Sequence, residues 1–211
     1  MKKLKTIRVP KGVQYVSDLS GCPVLERIEL AEDHPTYEME DGMLFEKKEN
    51  SKRKLCRLLP ADSREVLRIP EDIRQIASDA FEGCRFREVF FPEKLTYISD
   101  AFRNCRNLEE IHFPAALKEI ENLAFEGCTA IKKLVLPDGF EQVGNYTFAF
   151  CTGLQSAVLP ASLRHFGVSL FSGCTSLTDV YLRGGWRTWC RRTVIRERQM
   201  NFPDQAVFRY K

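Results

Sequence analysis

Apolar positions recur along this chain in a pattern that repeats every 22 or 23 residues. Five consecutive segments between residues 70 and 182 follow the scheme P-x2-Φ-x2-Φ-x3-4-a-F-x2-C-x1-2-Φ-x2-Φ-x-Φ, in which Φ is apolar and a is usually small. Proline stands at positions 70, 92, 114, 137 and 160, phenylalanine at 81, 102, 125, 148 and 171, and cysteine at 84, 105, 128, 151 and 174. Such a period predicts a solenoid, in which each coil buries its apolar side against its neighbours.

Each repeat is predicted to contain one strand and one bend. The residues before each proline alternate, as in VFF at 89–91 and VYL at 180–182, which is typical of a short strand. Proline then ends the strand because it has no N–H group to donate. The middle of the repeat, such as DAFEGC, is too short for a stable free helix. It is therefore predicted to form a tight bend or one helical turn, with its phenylalanine and cysteine pointing inward.

The regular coils are flanked by two irregular segments. Residues 1–69 are predicted to form irregular N-terminal coils with a hairpin insertion at about 34–60. Its strands are predicted at 43–45 and 55–58, and the cation-rich loop between them is either a solvated tip or an anion-binding tip. Five regular coils occupy residues 70–182, and residues 183–211 are predicted to be a C-terminal cap. At 211 residues, a single domain is the simplest expectation.

These columns carry a resemblance to a known family. The in-register Pro, Phe and Cys positions resemble the BspA-like leucine-rich repeats, whose coils read roughly "sLtsItIPssvtsIgdyAFsgC". The insertion around Asp41-Gly42 and the ending with Trp189, Asn201 and Tyr210 are similar to recurrent segments of the same family. The resemblance implies an α/β fold that is mainly β. This fold would be a right-handed leucine-rich-repeat solenoid with one parallel sheet, a hairpin insertion and a C-terminal cap. It also implies a non-enzymatic protein-binding role, with adhesion or host-protein contact for secreted members.

The most favoured binding surface is the concave side of the predicted sheet. One residue of each strand must point away from the core, and repeat proteins use such surfaces for recognition. From residue 90 onward this outward column is largely apolar or aromatic, and charged residues flank it, which is typical of an interaction surface. A preference of exposed strands for such residues would produce the same column without binding. The predicted protein-binding residues are Phe90, His112, Val135, Val158 and Tyr181, with Glu88, Glu110, Lys133 and Asp179 beside them.

The predicted cap offers an alternative surface. Residues 183–211 contain eight Lys and Arg against two Asp and Glu. In this alternative, the chain is an intracellular scaffold that binds an anionic partner or nucleic acid through phosphate contacts. The residues predicted to carry it are Arg187, Arg191, Arg192, Arg196 and Arg198. The nearby tryptophans are better explained as the core of the cap, so the sequence disfavours nucleic acid as the partner.

The sequence predicts no catalytic, cofactor or metal site. His34, His112 and His165 fall in different coils, although His112 lies beside Glu110 and, in the predicted register, near Glu88. The chain contains no HExxH, GxSxG, P-loop or GxGxxG motif, so it is predicted not to be an enzyme. The eight cysteines include no CxxC pair, and the repeated ones are predicted to be small buried thiols.

Composition and the first residues set the expected location. The net charge of +3 is too small to dictate a partner, and no apolar run reaches the ~18 residues of a membrane span. The start MKKLKTIRVP has no signal-peptide h-region, so the chain as it stands is predicted to be cytoplasmic, and cell-surface or secreted if a signal peptide was removed. No polar cap precedes the first strand, so this edge is expected to meet a partner or a second copy, or to follow further coils.

Overall fold

The chain coils repeatedly, and each coil contributes short strands to sheets that run along its length. The computed structural model describes residues 3–16, 19, 22, 24–48, 53–185, 189 and 201–210. The described residues form seventeen strands, which in chain order are β1 (Thr6–Val9), β2 (Arg27–Leu30), β3 (Tyr37–Glu40), β4 (Met43–Lys47), β5 (Arg53–Leu58), β6 (Val66–Arg68), β7 (Ile73–Ile76), β8 (Glu88–Phe90), β9 (Tyr97–Ile98), β10 (Glu110–His112), β11 (Glu119–Ile120), β12 (Lys133–Val135), β13 (Gln142–Val143), β14 (Ser156–Leu159), β15 (His165–Phe166), β16 (Asp179–Leu182) and β17 (Val207–Tyr210).

The strands predicted before each proline are confirmed, and together they form what we call the strand face. Successive members run parallel in three groups: β1 and β2; β6, β8 and β10; and β12, β14, β16 and β17. In the second group Arg68, Phe90 and His112 are paired across the strands. Side chains alternate between the two sides of a strand, so the neighbours of these three residues turn toward the core. Among the described strands, no ladder joins β10 to β12.

A second parallel sheet, which the sequence did not predict, lies between the prolines and the bends. Its strands β9, β11, β13 and β15 are two residues long, and Ile98, Ile120 and Val143 are paired across three of them. Backbone groups in the interior need hydrogen-bond partners, and the neighbouring coils supply them here. The prediction of one parallel sheet was therefore incomplete, because a two-residue strand is too short to show an alternating pattern.

The predicted hairpin insertion is confirmed, and it contains one more strand than expected. Strands β4 and β5 pair antiparallel, and β3, which was not predicted, pairs with the other side of β4. Strand β5 also pairs in parallel with β7. The insertion is thus hydrogen-bonded to the first regular coil instead of projecting from it.

The repeated phenylalanines form a continuous stack through the core. Phe81, Phe102, Phe125 and Phe171 are completely inaccessible, and Phe148 nearly so. Successive ring centroids are 4.7, 5.0, 5.6 and 6.1 Å apart, and the rings are tilted by no more than 23°. Each ring therefore covers the ring of the preceding coil, as the sequence predicted.

The five repeated cysteines are buried free thiols, and four of them also link their coil to the previous one. The Sγ atoms of Cys105, Cys128, Cys151 and Cys174 donate hydrogen bonds of 3.1 to 3.3 Å to the carbonyl oxygen of the phenylalanine one coil earlier. Burial raises the pKa of the Cys128, Cys151 and Cys174 thiols, to about 12 for Cys174. Cysteine suits this position because it is small and apolar and still satisfies a buried carbonyl.

The C-terminal residues cover the last coil, as predicted for a cap. The ring of Phe202 stacks 5.1 Å from Phe171, and β17 extends the strand face beside β16. Trp189 is buried and donates its Nε1–H to the Arg183 carbonyl oxygen at 2.7 Å. Trp186, the other tryptophan predicted to cover this coil, lies outside the described residues.

The buried residues form two clusters. The larger extends from Met43 in the insertion to Trp189 in the cap, and the smaller surrounds Val9, Leu25 and Tyr37 near the N-terminus. The division into N-terminal coils, regular coils and cap within one domain stays a prediction. Within the described part of the chain, no helix has the length and apolar character needed to cross a bilayer.

Candidate protein-binding face

The outward side chains of the strand face form two columns. The central column is the third residue of each strand of the face, and most of the residues on either side of it are buried. In chain order the central column is Arg8, Glu29, Arg68, Phe90, His112, Val135, Val158, Tyr181 and Arg209. The flanking column, two residues earlier, is Thr6, Arg27, Val66, Glu88, Glu110, Lys133, Ser156, Asp179 and Val207. All nine residues predicted for the binding face therefore lie in these two columns.

The central column contains a three-layer stack across β6, β8 and β10. The imidazole of His112 lies 4.0 Å from the ring of Phe90 with an interplanar angle of 1°. The Arg68 guanidinium lies 3.9 Å from the centroid of the same ring. Phe90 was predicted to be an apolar anchor, and that role stays a prediction. Arg68 and His112, its neighbours in the ladder, both stack on its ring.

His112 also meets two carboxylates of the flanking column. Its Nε2 lies 2.6 Å from Oε1 of Glu88 and 3.8 Å from Oε2 of Glu110. One ligand atom from each of the three residues lies within 4.8 Å of the others, the one such group of possible metal ligands among the described residues. The neighbouring carboxylate of Glu109 is instead bound by Arg87, whose Nη2 lies 2.9 Å from its Oε2.

The apolar part of the central column lies on β12, β14 and β16. Val135, Val158 and Tyr181 are paired in register and line a shallow groove with Lys133 and Ser156. Val135 is 38% exposed, whereas its neighbours Leu134 and Leu136 are buried. This part of the face therefore has three contiguous apolar side chains, of which Val135 is exposed and Val158 and Tyr181 are half-buried.

An ion pair borders this groove at the cap. Arg209 Nε donates to Asp179 Oδ1 at 2.7 Å, and Thr178 Oγ1 donates to Asp179 Oδ2 at 2.9 Å. These two donors, Arg209 first, hold the pKa of Asp179 below its usual range. Arg209 was not predicted as a member of the central column, since the sequence does not reveal the register of the closing strand.

Replacing Tyr181 by alanine is expected to leave the free energy of unfolding within about 1 kcal/mol of the wild type, because the side chain points outward. Replacing its buried neighbour Val180 is expected to cost about 2–3 kcal/mol. Urea unfolding followed by circular dichroism measures both variants. The reverse order of costs would mean that the two sides of β16 are assigned wrongly.

The residues predicted for the alternative basic surface belong to the C-terminal segment. Arg187, Arg191, Arg192, Arg196 and Arg198 all lie outside the described residues. Two other cations of the same segment are engaged: Arg183 binds Asp138 at 2.8 Å and Arg209 binds Asp179.

Two of the described cations of the hairpin, Lys47 and Arg53, are held by neighbouring carboxylates and carbonyls. Arg53 donates from Nε to Asp72 at 2.6 Å and from Nη1 to Glu38 at 3.1 Å, and it also contacts Glu40. Lys47 Nζ donates to the His34 carbonyl oxygen at 2.9 Å. These contacts favour a structural role for both cations over the anion-binding alternative.

The three histidines do not converge on one site. His34 is buried; its Nδ1 accepts from the backbone N–H of Tyr37 at 3.1 Å, and its Nε2 lies 3.1 Å from the Pro10 carbonyl oxygen. His165 is exposed on β15 in the second sheet, and His112 lies on the strand face. The burial of His34 is explained by these hydrogen bonds, which stabilise a turn.

Sequence analysis also missed a small apolar patch on the bends of the last coils. Tyr146, Phe150 and Val168 are 41 to 51% exposed. The backbone N–H of Tyr146 donates to the Val168 carbonyl oxygen at 3.0 Å, so these residues are neighbours in successive coils. The missed signal was the replacement of glycine by phenylalanine at position 150, just before the repeated cysteine.

Comparison with solved structures places this fold among bacterial repeat proteins. A leucine rich cell surface protein from Faecalibacterium prausnitzii shares 26% identity with a TM-score of 0.76, covering 90% of this chain and 51% of its own. The leucine rich repeat protein of T. pallidum shares 25% identity with a TM-score of 0.63, covering 69% of this chain and 71% of its own. The pneumococcal vaccine antigen PcpA, at 21% identity and a TM-score of 0.76 over 99% of this chain and 51% of its own, shows the fold alone.

This chain spans 51% of the length of both the Faecalibacterium protein and PcpA. No curated protein matches it. The BspA type leucine rich repeat region matches six copies within residues 62–178, more than half of the chain. This match confirms the resemblance drawn from the Pro, Phe and Cys columns. The chain belongs to the BspA-type leucine-rich repeat family.

Proposed function

We propose that this chain is a non-enzymatic scaffold that binds another protein through its strand face, in the manner of an adhesin. The observation that carries the proposal is the apolar column Val135, Val158 and Tyr181, stacked in register on a sheet whose other side is buried. A contiguous exposed apolar surface rimmed by polar groups is typical of an interaction site.

The architecture supports binding without a cost for ordering the surface. The Phe stack, the thiol hydrogen bonds and two parallel sheets connect each coil to the next. A surface held in this way loses little conformational freedom when a partner docks. The apolar column therefore supplies affinity from side chains that are already in position.

The charges beside the column would orient the partner. Glu88 and Glu110 lie on β8 and β10, whereas Lys133 and the Asp179–Arg209 pair lie beside the apolar residues. A partner with matching charges would be steered into one register. Surface location is part of the proposal and is supported by the description of the Faecalibacterium neighbour as a cell surface protein.

We expect that replacing Val135, Val158 and Tyr181 together by serine weakens partner binding about 100-fold, since interface anchors contribute about 1 kcal/mol or more each. To identify the partner, the wild-type chain is first used to capture proteins from a lysate and a surface-protein fraction of the source organism. The identified partner is then purified, and its Kd is measured for the wild type and the variant at low and high salt.

The matched control is the triple serine variant of Tyr146, Phe150 and Val168, which removes exposed apolar side chains from the bends. It is expected to bind as the wild type does. Unchanged binding by the strand-face variant would overturn the proposal. Binding lost in high salt but not in that variant would move the site to the basic C-terminal segment.

A further inference from the structure

We propose that Glu88, Glu110 and His112 form a binding site for a divalent transition metal ion, with Zn²⁺ as the ion that fits best. The donors are one imidazole nitrogen and two carboxylate oxygens from neighbouring strands. No sequence motif pointed to them, because only Glu110 and His112 are close in the chain. Glu88 joins them through the parallel register of β8 and β10, which pairs it with Glu110.

The orientation of the imidazole is fixed by the structure. The imidazole of His112 lies parallel to the ring of Phe90, and the Arg68 guanidinium stacks on the same ring. The imidazole is therefore supported by a flat aromatic surface. Its Nε2 lies 2.6 Å from Oε1 of Glu88 and 3.8 Å from Oε2 of Glu110, so it is directed at both carboxylates. The support acts on the ligand in the way that outer-shell contacts orient metal-binding histidines.

The negative charge of the two carboxylates also favours a bound cation. Glu88 and Glu110 face each other across two strands, and like charges in such a pair repel. Within the described part of the chain, His112 is the one basic side chain within ion-pair distance of either carboxylate, and it is charged only when protonated. Arg87 is close by but binds Glu109. A divalent ion between the two carboxylates would relieve their repulsion.

The donor set selects among metals. Imidazole together with carboxylate suits zinc and its neighbours in the first transition row, whereas Mg²⁺ and Ca²⁺ take oxygen ligands. Zinc binds these donors at about 2.0–2.2 Å, which places two ligands of a tetrahedral site about 3.3 Å apart. The Nε2–Oε1 separation of 2.6 Å is that of a hydrogen bond, so the ion would replace the bridging proton as the side chains separate slightly.

The site would keep at least one coordination position open. His112 and Glu110 are 43% and 70% exposed, so solvent reaches the donors. Three protein ligands plus an exchangeable one is the arrangement of zinc sites that accept an outside ligand. A carboxylate or imidazole of the protein partner could take that position. This last role rests on the proposed function, but the metal site itself does not.

Zinc chloride titrated into the chelator-treated, purified full chain at pH 7 is expected to bind at one ion per chain by isothermal calorimetry. His112→Gln and Glu110→Gln are each expected to weaken this binding by at least about tenfold, the scale at which even outer-shell changes act. Phe90→Leu, which removes the aromatic support, is expected to weaken it about tenfold while leaving all three donors in place.

His165→Gln is the matched control, because it removes an exposed histidine from the second sheet. It is expected to bind zinc as the wild type does. No binding by the wild type, or equal binding by wild type and both donor variants, would overturn the proposal. The second result would place the ion elsewhere, for instance on a cysteine. Displacement of zinc by millimolar Ca²⁺ would overturn the assignment to a transition metal.

The metal test is independent of the partner test. It uses zinc alone, and the strand-face serine variant leaves the three donors unchanged. Failure of one experiment therefore says nothing about the other.

Discussion

Phe125→Ala is expected to lower the free energy of unfolding by about 3–5 kcal/mol. The ring is completely inaccessible and lies between Phe102 and Phe148, at 5.0 and 5.6 Å, with Phe113 edge-on at 5.9 Å. Truncation removes a large apolar side chain and leaves a cavity that a stack of rings on both sides cannot readily fill. The lost aromatic pairs add about 0.5–1.5 kcal/mol each to the cost of burial alone.

The position of Phe125 in the middle coil should also affect cooperativity. Coils of a solenoid contact only their neighbours, so a weak junction separates the array into two parts. We therefore expect the urea transition of the variant to broaden as well as to shift to lower denaturant.

Phe150→Ala is the control for this experiment, since the same chemical change is made where the ring is 51% exposed. It is expected to change stability by less than about 1 kcal/mol. A cost below about 1 kcal/mol for Phe125→Ala would contradict the buried stack.

Gly167→Ala is expected to destabilise the chain by about 3 kcal/mol, the upper end of what overpacking usually costs. A Cβ atom on this residue would lie 2.1 Å from the carbonyl carbon and oxygen of Gly144 and 2.3 Å from the Asn145 nitrogen. These are backbone atoms of the preceding coil, so no side chain can rotate away. The methyl group can be accommodated only if the two coils separate, which strains the hydrogen bond from the Gly167 N–H to the Val143 carbonyl oxygen.

Gly12→Ala is the matched control, because a Cβ atom there would meet nothing within 4 Å. Thermal unfolding is expected to show a lower Tm for Gly167→Ala and no change for Gly12→Ala. Equal Tm values for the two variants would mean that the coils are not in close backbone contact at Gly167.

The period of the sequence was enough to predict the regular coils. Position in the repeat fixed which residues are buried, because stacking forces equivalent residues into one column. For the same reason the outward residues from Phe90 to Tyr181 could be named before the structure was known. The register of these strands follows from the 22- and 23-residue spacing of the prolines.

Features set by contacts between unlike residues could not be predicted in this way. The stack of Arg68, Phe90 and His112 depends on which side chains happen to be neighbours across strands. The bends contain Leu123 and Tyr146 with positive φ, a conformation that neither residue signals. Strand β17 places Tyr210 opposite Leu182. This register could not be predicted, because no repeat extends into the cap.

The buried thiols of the repeated cysteine column are protected from disulfide formation even in an oxidising environment. Oxidation and disulfide exchange begin from the thiolate, and burial raises the pKa of Cys128, Cys151 and Cys174, so the thiol form prevails at neutral pH. Each of these Sγ–H groups is also engaged with a carbonyl oxygen and shielded from solvent. Buried column cysteines of this kind are therefore compatible with a location inside or outside the cell. Their number does not indicate the cellular location of the protein.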